Sequence, residues 1–151
     1  MKIVSGGQTG VDRAALDFAI DHDHPHGGWC PHGRLADDGI IPAKYHLRET
    51  DSPEYDERTV KNVLDSDATL IVARDKHLSG GTAFTHALAL QHGRPVLVVC
   101  EPGGLSQGAV AFSRFLQQHR ISTLNVAGPR ESQAPGLGKF ARSLLEKTLN
   151  L

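Results

Sequence analysis

Two uninterrupted apolar runs, ATLIVA at 68–73 and PVLVVC at 95–100, constrain this chain more than any other feature. A strand with one face in water alternates apolar and polar residues. A strand covered on both faces need not, and that situation arises where helices pack on both sides of a parallel sheet. Other apolar patterns flank these runs at helical spacing. In chain order the pattern predicts a strand at KIVS (2–5), a helix from Val11 to His22, a helix from Glu54 to Asp65, and then ATLIVA. A helix from Thr82 to Gln91, PVLVVC, a helix from Gln107 to His119, a strand from Ser122 to Val126 and a helix from Gly136 to Leu149 follow. This alternation predicts a single Rossmann-like, three-layer α/β domain over residues 1–151 with a mostly parallel sheet.

Local signals agree. Ser52 before Pro53 reads as an N-cap with proline at the first helical position, and Gly93 as the glycine that closes a helix. Residues 23–51 are rich in Gly, Pro and His and far exceed the roughly 2–6 residues of an ordinary αβ connection, which points to a functional loop. Phe112, Phe115 and Leu116 form an apolar stripe suited to the core or to an interface between subunits.

Charge narrows the range of partners. Sixteen Lys and Arg against 17 Asp and Glu give a net charge of −1, without the basic footprint that duplex nucleic acid demands. No segment approaches the roughly 20 apolar residues that span a bilayer, and the start MKIVSGG has no secretory pattern. A soluble, cytoplasmic protein is the expectation. Cys30 and Cys100 form no CxxC pair and are expected to be thiols.

Three loops leave strands at the carboxyl edge of the sheet, where open α/β sheets bind ligands. The first, SGGQTG, offers Gly6, Gly7 and Gly10 for close backbone approach, Gln8 and Thr9 as polar groups, and a helix N-terminus for an anion. It matches neither GxGxxG nor a P-loop, so a ligand-free glycine turn remains the alternative. Ser79, Gly80, Gly81 and Thr82 in HLSGGTA repeat the same grammar after the second strand. Arg130, in NVAGPRES, is either an oxyanion clamp or a surface arginine. Asp12 suits the first turn of its helix as a dipole partner or a ligand contact. Arg13 opposes the dipole there, which implies an anion or carboxylate beside it.

In the long loop, His22, His24, His26 and His32 around Cys30 fit no established zinc spacing, so no structural metal is expected. Trp29, Cys30 and Arg34 are expected to form one wall of the pocket. Asp37 and Asp38 either accept hydrogen bonds from a ligand ring or form a surface turn. Arg58, Lys61 and Asn62 read as a solvated helix face.

The strings SGGQTGVDRAALDFA, HGGWCPHGRLADDGIIP, YDERTVKNVLDSDATLIV, SGGTAFTHALA and NVAGPRES together resemble the molybdenum carrier family, the molybdenum-cofactor carrier proteins. That family lies within a Rossmann-like group that includes the LOG-type nucleotide phosphoribohydrolases. The resemblance implies binding and delivery of the molybdenum cofactor, a phosphate-bearing pterin (molybdopterin), to a recipient molybdoenzyme by a homo-oligomer, a tetramer. It implies contacts from Gly7, Gln8, Thr9, Gly10, Ser79, Gly80, Gly81, Thr82, Arg130 and Ser132.

Two alternatives stand beside the carrier: a nucleotide-binding sensor module and a LOG-type hydrolase of nucleoside monophosphates. The hydrolases carry a PGGxGTxxE-like motif. In this chain Ser79 precedes the second glycine loop, and Phe84, Thr85 and His86 stand where acidic residues should follow, which leaves Asp12 or Asp38 as substitutes.

Overall fold

The run ATLIVA forms β7 (Ala68–Ala73), all six residues buried, because it lies inside a sheet and not at its edge. The computed structural model describes residues 1–149. In chain order the elements are β1 (Lys2–Val4), α1 (Val11–Asp21), β2 (His26–Gly27), β3 (Trp29–Cys30), β4 (Leu35–Ala36), β5 (Gly39–Ile40) and β6 (Arg48–Glu49). Then come α2 (Tyr55–Leu64), β7, α3 (Gly80–Gln91), β8 (Val96–Cys100), α4 (Leu105–Gln118), β9 (Thr123–Ala127) and α5 (Leu137–Leu149). Strands β2-β1-β9-β7-β8 make one five-stranded sheet, parallel at every pairing. The last strand in sequence therefore sits at its centre.

One face carries the main core, in which Ile3, Leu70, Val72, Leu124 and Val126 meet Phe18, Phe112, Leu144 and Leu145 of α1, α4 and α5. The other is covered by α2 and α3 through Val63, Leu88 and Ala89. Together these are the three layers of a Rossmann-like fold. Phe112 and Phe115 belong to the core, and Leu116 packs against it. Cys30 and Cys100 are both free thiols.

Helix boundaries depart from the sequence reading at one cap in particular. Helix α2 begins at Tyr55 with Glu54 in the N-cap position, so neither Ser52 nor Pro53 belongs to it. The Ser52 hydroxyl instead accepts the Glu54 N–H at 3.0 Å, while its own N–H donates to Glu57 at 3.1 Å. The serine closes a turn one step ahead of the helix. Gly93 does end α3, with φ +62°: its N–H donates to Leu90 O and that of Arg94 to Ala89 O, the paired bonds of a Schellman motif.

The long loop is folded. Its β2 extends the main sheet, β3 pairs in parallel with β6, and β4 and β5 form a hairpin with Asp37 and Asp38 at its tip. Arg34 holds this unit from within, donating to the carbonyls of Ile41, Pro42, Tyr45 and Leu47 at 2.9–3.4 Å. Leu16, Cys30, Ile41 and Tyr45 form a small apolar core between the loop and α1.

Candidate ligand site at the carboxyl edge of the sheet

Alternation along β9 creates the site. Leu124 and Val126 face the main core, so Asn125 faces α2, where its amide donates to Thr69 at 3.3 Å. Polar residues here, with Tyr55, Arg58, Thr59 and Asn62 presented at i, i+3, i+4 and i+7 of α2, leave a polar hollow beneath that helix. It also takes in Gly6, Gln8 and Asp12 from the first loop, Gly81, Thr82 and Thr85 from α3, and Gly128 to Arg130 after β9. Its volume is about 150 Å³. Three strand ends thus converge where the strand order reverses.

Arg58 organises the hollow. Its guanidinium lies against Gly6, close enough that a Cβ there would overlap it, and donates to the Gly6 carbonyl at 3.0 Å and to Asp12 at 3.5 Å. Arg58 and Arg130 lie 5.0 and 5.4 Å from the Tyr55 ring centroid. Burial pushes the Asp12 carboxyl up to about 6, although Arg58 pulls in the opposite direction. The first turn of α3, at Gly81 and Thr82, adds N–H groups that have no acceptor within the helix. Two guanidiniums and a helix N-terminus suit an anion. Asp12, held up at about 6, is the one buried acidic group among them.

The predicted residues divide between this hollow and its scaffold. Gly6, Gln8, Gly81, Thr82 and Arg130 line it. Gln8 also ties loops together, accepting the N–H groups of Thr9 and Asp37 at 2.9 Å and donating to Tyr55 at 3.3 Å. Thr9 accepts the Glu131 N–H, and Gly10 packs its backbone on Pro129. Arg13 does have its carboxylate: it pairs with Asp38 at 2.9 and 3.1 Å and donates to the Gly7 carbonyl. That contact holds the Asp38 carboxyl below the usual range. Asp37 is likewise engaged by Arg130 at 2.9 Å and by the Ser132 hydroxyl at 3.3 Å. Both aspartates therefore serve the protein's own cations. Ser79 and Gly80 are exposed at the start of α3, outside the lining.

The expected wall of Trp29, Cys30 and Arg34 does not form. Cys30 is fully buried in the loop core, Arg34 is consumed by backbone carbonyls, and Trp29 faces a different hollow beyond Asn62. Arg58 and Asn62, read as solvated, are instead inward-facing, with Asn62 only 4% exposed. Among the described residues no group of three His, Cys, Asp or Glu is placed to hold a metal ion, and no helix is long and apolar enough to cross a membrane.

A parallel three-layer sheet with a polar hollow at its switch point defines a Rossmann-like domain built around a ligand site. The chain belongs to the circularly permutated YpsA SLOG family, whose model matches residues 3–149. It is also similar to a crystal structure from Syntrophus aciditrophicus SB named "Putative molybdenum carrier protein". The two share 46% identity at a TM-score of 0.95, over 98% of this chain and 94% of that one. No curated protein matches the chain.

Proposed function

We propose that this protein is a carrier that binds the molybdenum cofactor, molybdopterin, by its phosphate and passes it to a molybdoenzyme in the cytoplasm. The observation that carries this reading is the pair Arg58 and Arg130 flanking Tyr55 at the mouth of a hollow that also takes in the first turn of α3. Its size supports a division of labour. About 150 Å³ is below the roughly 300–1,000 Å³ of sites that enclose a whole drug-sized ligand, so the hollow takes the phosphate end and the pterin lies across its rim. Gly6, Gln8, Gly81, Thr82, Arg58 and Arg130 contact the phosphate. Gly7, Thr9, Gly10, Arg13 and Ser132 hold the loops in place. The relative's name as a molybdenum carrier supports the choice of ligand. Assembly into a homo-oligomer uses the free edge of the sheet, where Val96, Leu97 and Val98 of β8 are partly exposed and Leu90 of α3 is 60% exposed.

Thermal-shift titration tests the ligand. Molybdenum cofactor should raise the melting temperature well beyond AMP or inorganic phosphate, since a tighter ligand stabilises more by mass action. A shift with AMP alone makes the protein a nucleotide-binding module. Asp12 adds a pH signature. Ionised at pH 8 it repels the incoming phosphate, and neutral below its value of about 6 it does not, so affinity rises as pH falls. Asp12→Asn should bind about tenfold more tightly than wild type at pH 8 and equally at pH 5.5, the ratio cancelling the phosphate's own titration near pH 6.

Asp12 also favours a second reading, hydrolysis of a nucleoside monophosphate. A carboxylate held up at about 6 in the hollow suits proton transfer, here taking the proton of the water that adds to the ribose C1′ as the N-glycosidic bond breaks and passing it to the departing base. Incubation with purine monophosphates then releases free base in wild type and not in Asp12→Asn. Silence across the nucleotides overturns the hydrolase.

A further inference from the structure

A second hollow lies at the other end of α2. It is about 300 Å³, twice the volume of the first, and meets it only at Asn62. Lys2 and Val4 of β1, His26 and Gly27 of β2, Thr123 of β9 and Asp65 after α2 form its floor and side; Trp29, His46 and Arg48 come from the long loop. The Lys2 stem lies across Gly27, whose missing side chain makes room: a Cβ there would stand 3.2 Å from Lys2 Cε and 3.4 Å from Nζ.

The charge in this hollow is unbalanced. Among the described residues neither Lys2 nor Arg48 has an ion-pair partner. The Arg48 guanidinium stands 5.4 Å from the centre of the Trp29 ring and Lys61 Nζ 4.3 Å from it. His26 and His46 stack at 5.1 Å, and His26 Nε2 accepts the His46 backbone N–H at 3.1 Å. Burial, His46 and Lys2 hold the His26 imidazole below its ordinary value, as expected where negative charge is scarce. The single carboxylate in the lining, Asp65, is engaged by the Trp29 indole N–H at 2.8 Å. With cations already beside the Trp29 ring, no flat aromatic ligand is called for. Two cations against one engaged carboxylate suit a compact anion.

We infer that this hollow is a second anion site, in which Lys2 and Arg48 bind a tetrahedral oxyanion such as phosphate, with the His26–His46 pair alongside. It is independent of the Arg58 hollow, and neither reading of that hollow bears on it.

Trp29 is the only tryptophan of the chain and lines this hollow, so its fluorescence reports on this site, and Arg58→Gln separates it from the other. Wild-type protein titrated with inorganic phosphate at constant ionic strength should give a saturable change with half-saturation below about 1 mM. Lys2→Gln and Arg48→Gln should each weaken it about tenfold or more, with melting temperatures unchanged because both side chains are exposed. Arg58→Gln should leave it intact. A parallel titration with glycerol 3-phosphate separates the sources: tighter binding of the ester assigns a phosphorylated metabolite, and tighter binding of phosphate assigns the free ion. A linear, non-saturating response overturns the inference. So does full affinity in the Lys2 and Arg48 variants, and so does loss in Arg58→Gln, which would trace the signal to the other hollow.

Discussion

Arg58→Ala should lower stability by about 3 kcal/mol at pH 8 and by much less at pH 5, and should abolish binding of the phosphate-bearing ligand in the Arg58 hollow. The side chains of Arg58 and Asp12 are only 13% and 8% exposed, and their pairing at 3.5 Å is the ionic contact that Asp12 makes. Removing the arginine leaves a carboxylate buried without its cation, and a charge stranded in that way costs far more than the intact pair contributes. The sign with pH follows from Asp12. Its folded value, about 6, already exceeds the ordinary 3.8, so the native state binds its proton more tightly than the unfolded chain does. That contribution is full below the unfolded value and fades as pH rises through the folded one. Without Arg58 the folded value climbs further and the loss above neutrality deepens. Urea melts at pH 5 and pH 8 measure the difference directly; equal costs at the two pH values would mean that Asp12 carries no charge beside Arg58.

Gly10→Ala should be the most damaging single methyl in the binding loops, costing about 3 kcal/mol or more and lowering the melting temperature by roughly 6–12 °C. Gly10 caps α1 with φ 85° and ψ −130°, a region that residues with a Cβ rarely enter. The new carbon would also lie 2.7 Å from Pro129 O and 2.8 Å from Glu131 N. Both are backbone atoms of the loop after β9, so no side-chain rotation relieves the overlap. Gly81→Ala is the control: its Cβ meets nothing within 4 Å and its φ is not positive. A melting temperature near wild type for Gly81→Ala, beside a large drop for Gly10→Ala, identifies the left-handed backbone and the close loop contact of Gly10 together as the cause. Equal effects would refute that explanation.

Legibility in the sequence followed how far each signal is local. ATLIVA and the glycine loops were readable because burial on both faces and turns before helices leave their mark on consecutive residues. PVLVVC looks the same and is an edge strand, with four of its five β8 residues only partly buried, because an apolar run does not say how many neighbours a strand has. Tyr55, Arg58, Thr59 and Asn62 share one face of α2, a pattern visible in the sequence. Which side that face turns to depends on Asn125, some 60 residues away, and spacing carries no information about it. Arg13 was readable as a cation in need of a carboxylate, but Asp38 reaches it only through the hairpin tip. Trp29 and Arg34 misled because their partners depend on tertiary placement that no periodicity encodes: Asp65 reaches Trp29 from the end of α2, and the four carbonyls around Arg34 are gathered by the folding of residues 23–51.

The central position of β9 has a consequence for how the protein is made. Strands β1 and β2 pair with one another, β7 and β8 pair with one another, and each pair is joined to the other only through β9. A nascent chain that has emerged as far as α4 therefore holds two separate two-stranded ribbons with exposed inner edges. Two-stranded units are marginal in water, and unpaired edges invite association with other chains. Both ribbons wait for the five residues of β9. The same residues carry Asn125 and lead into Gly128 and Arg130, so the ligand hollow is completed in the step that closes the sheet.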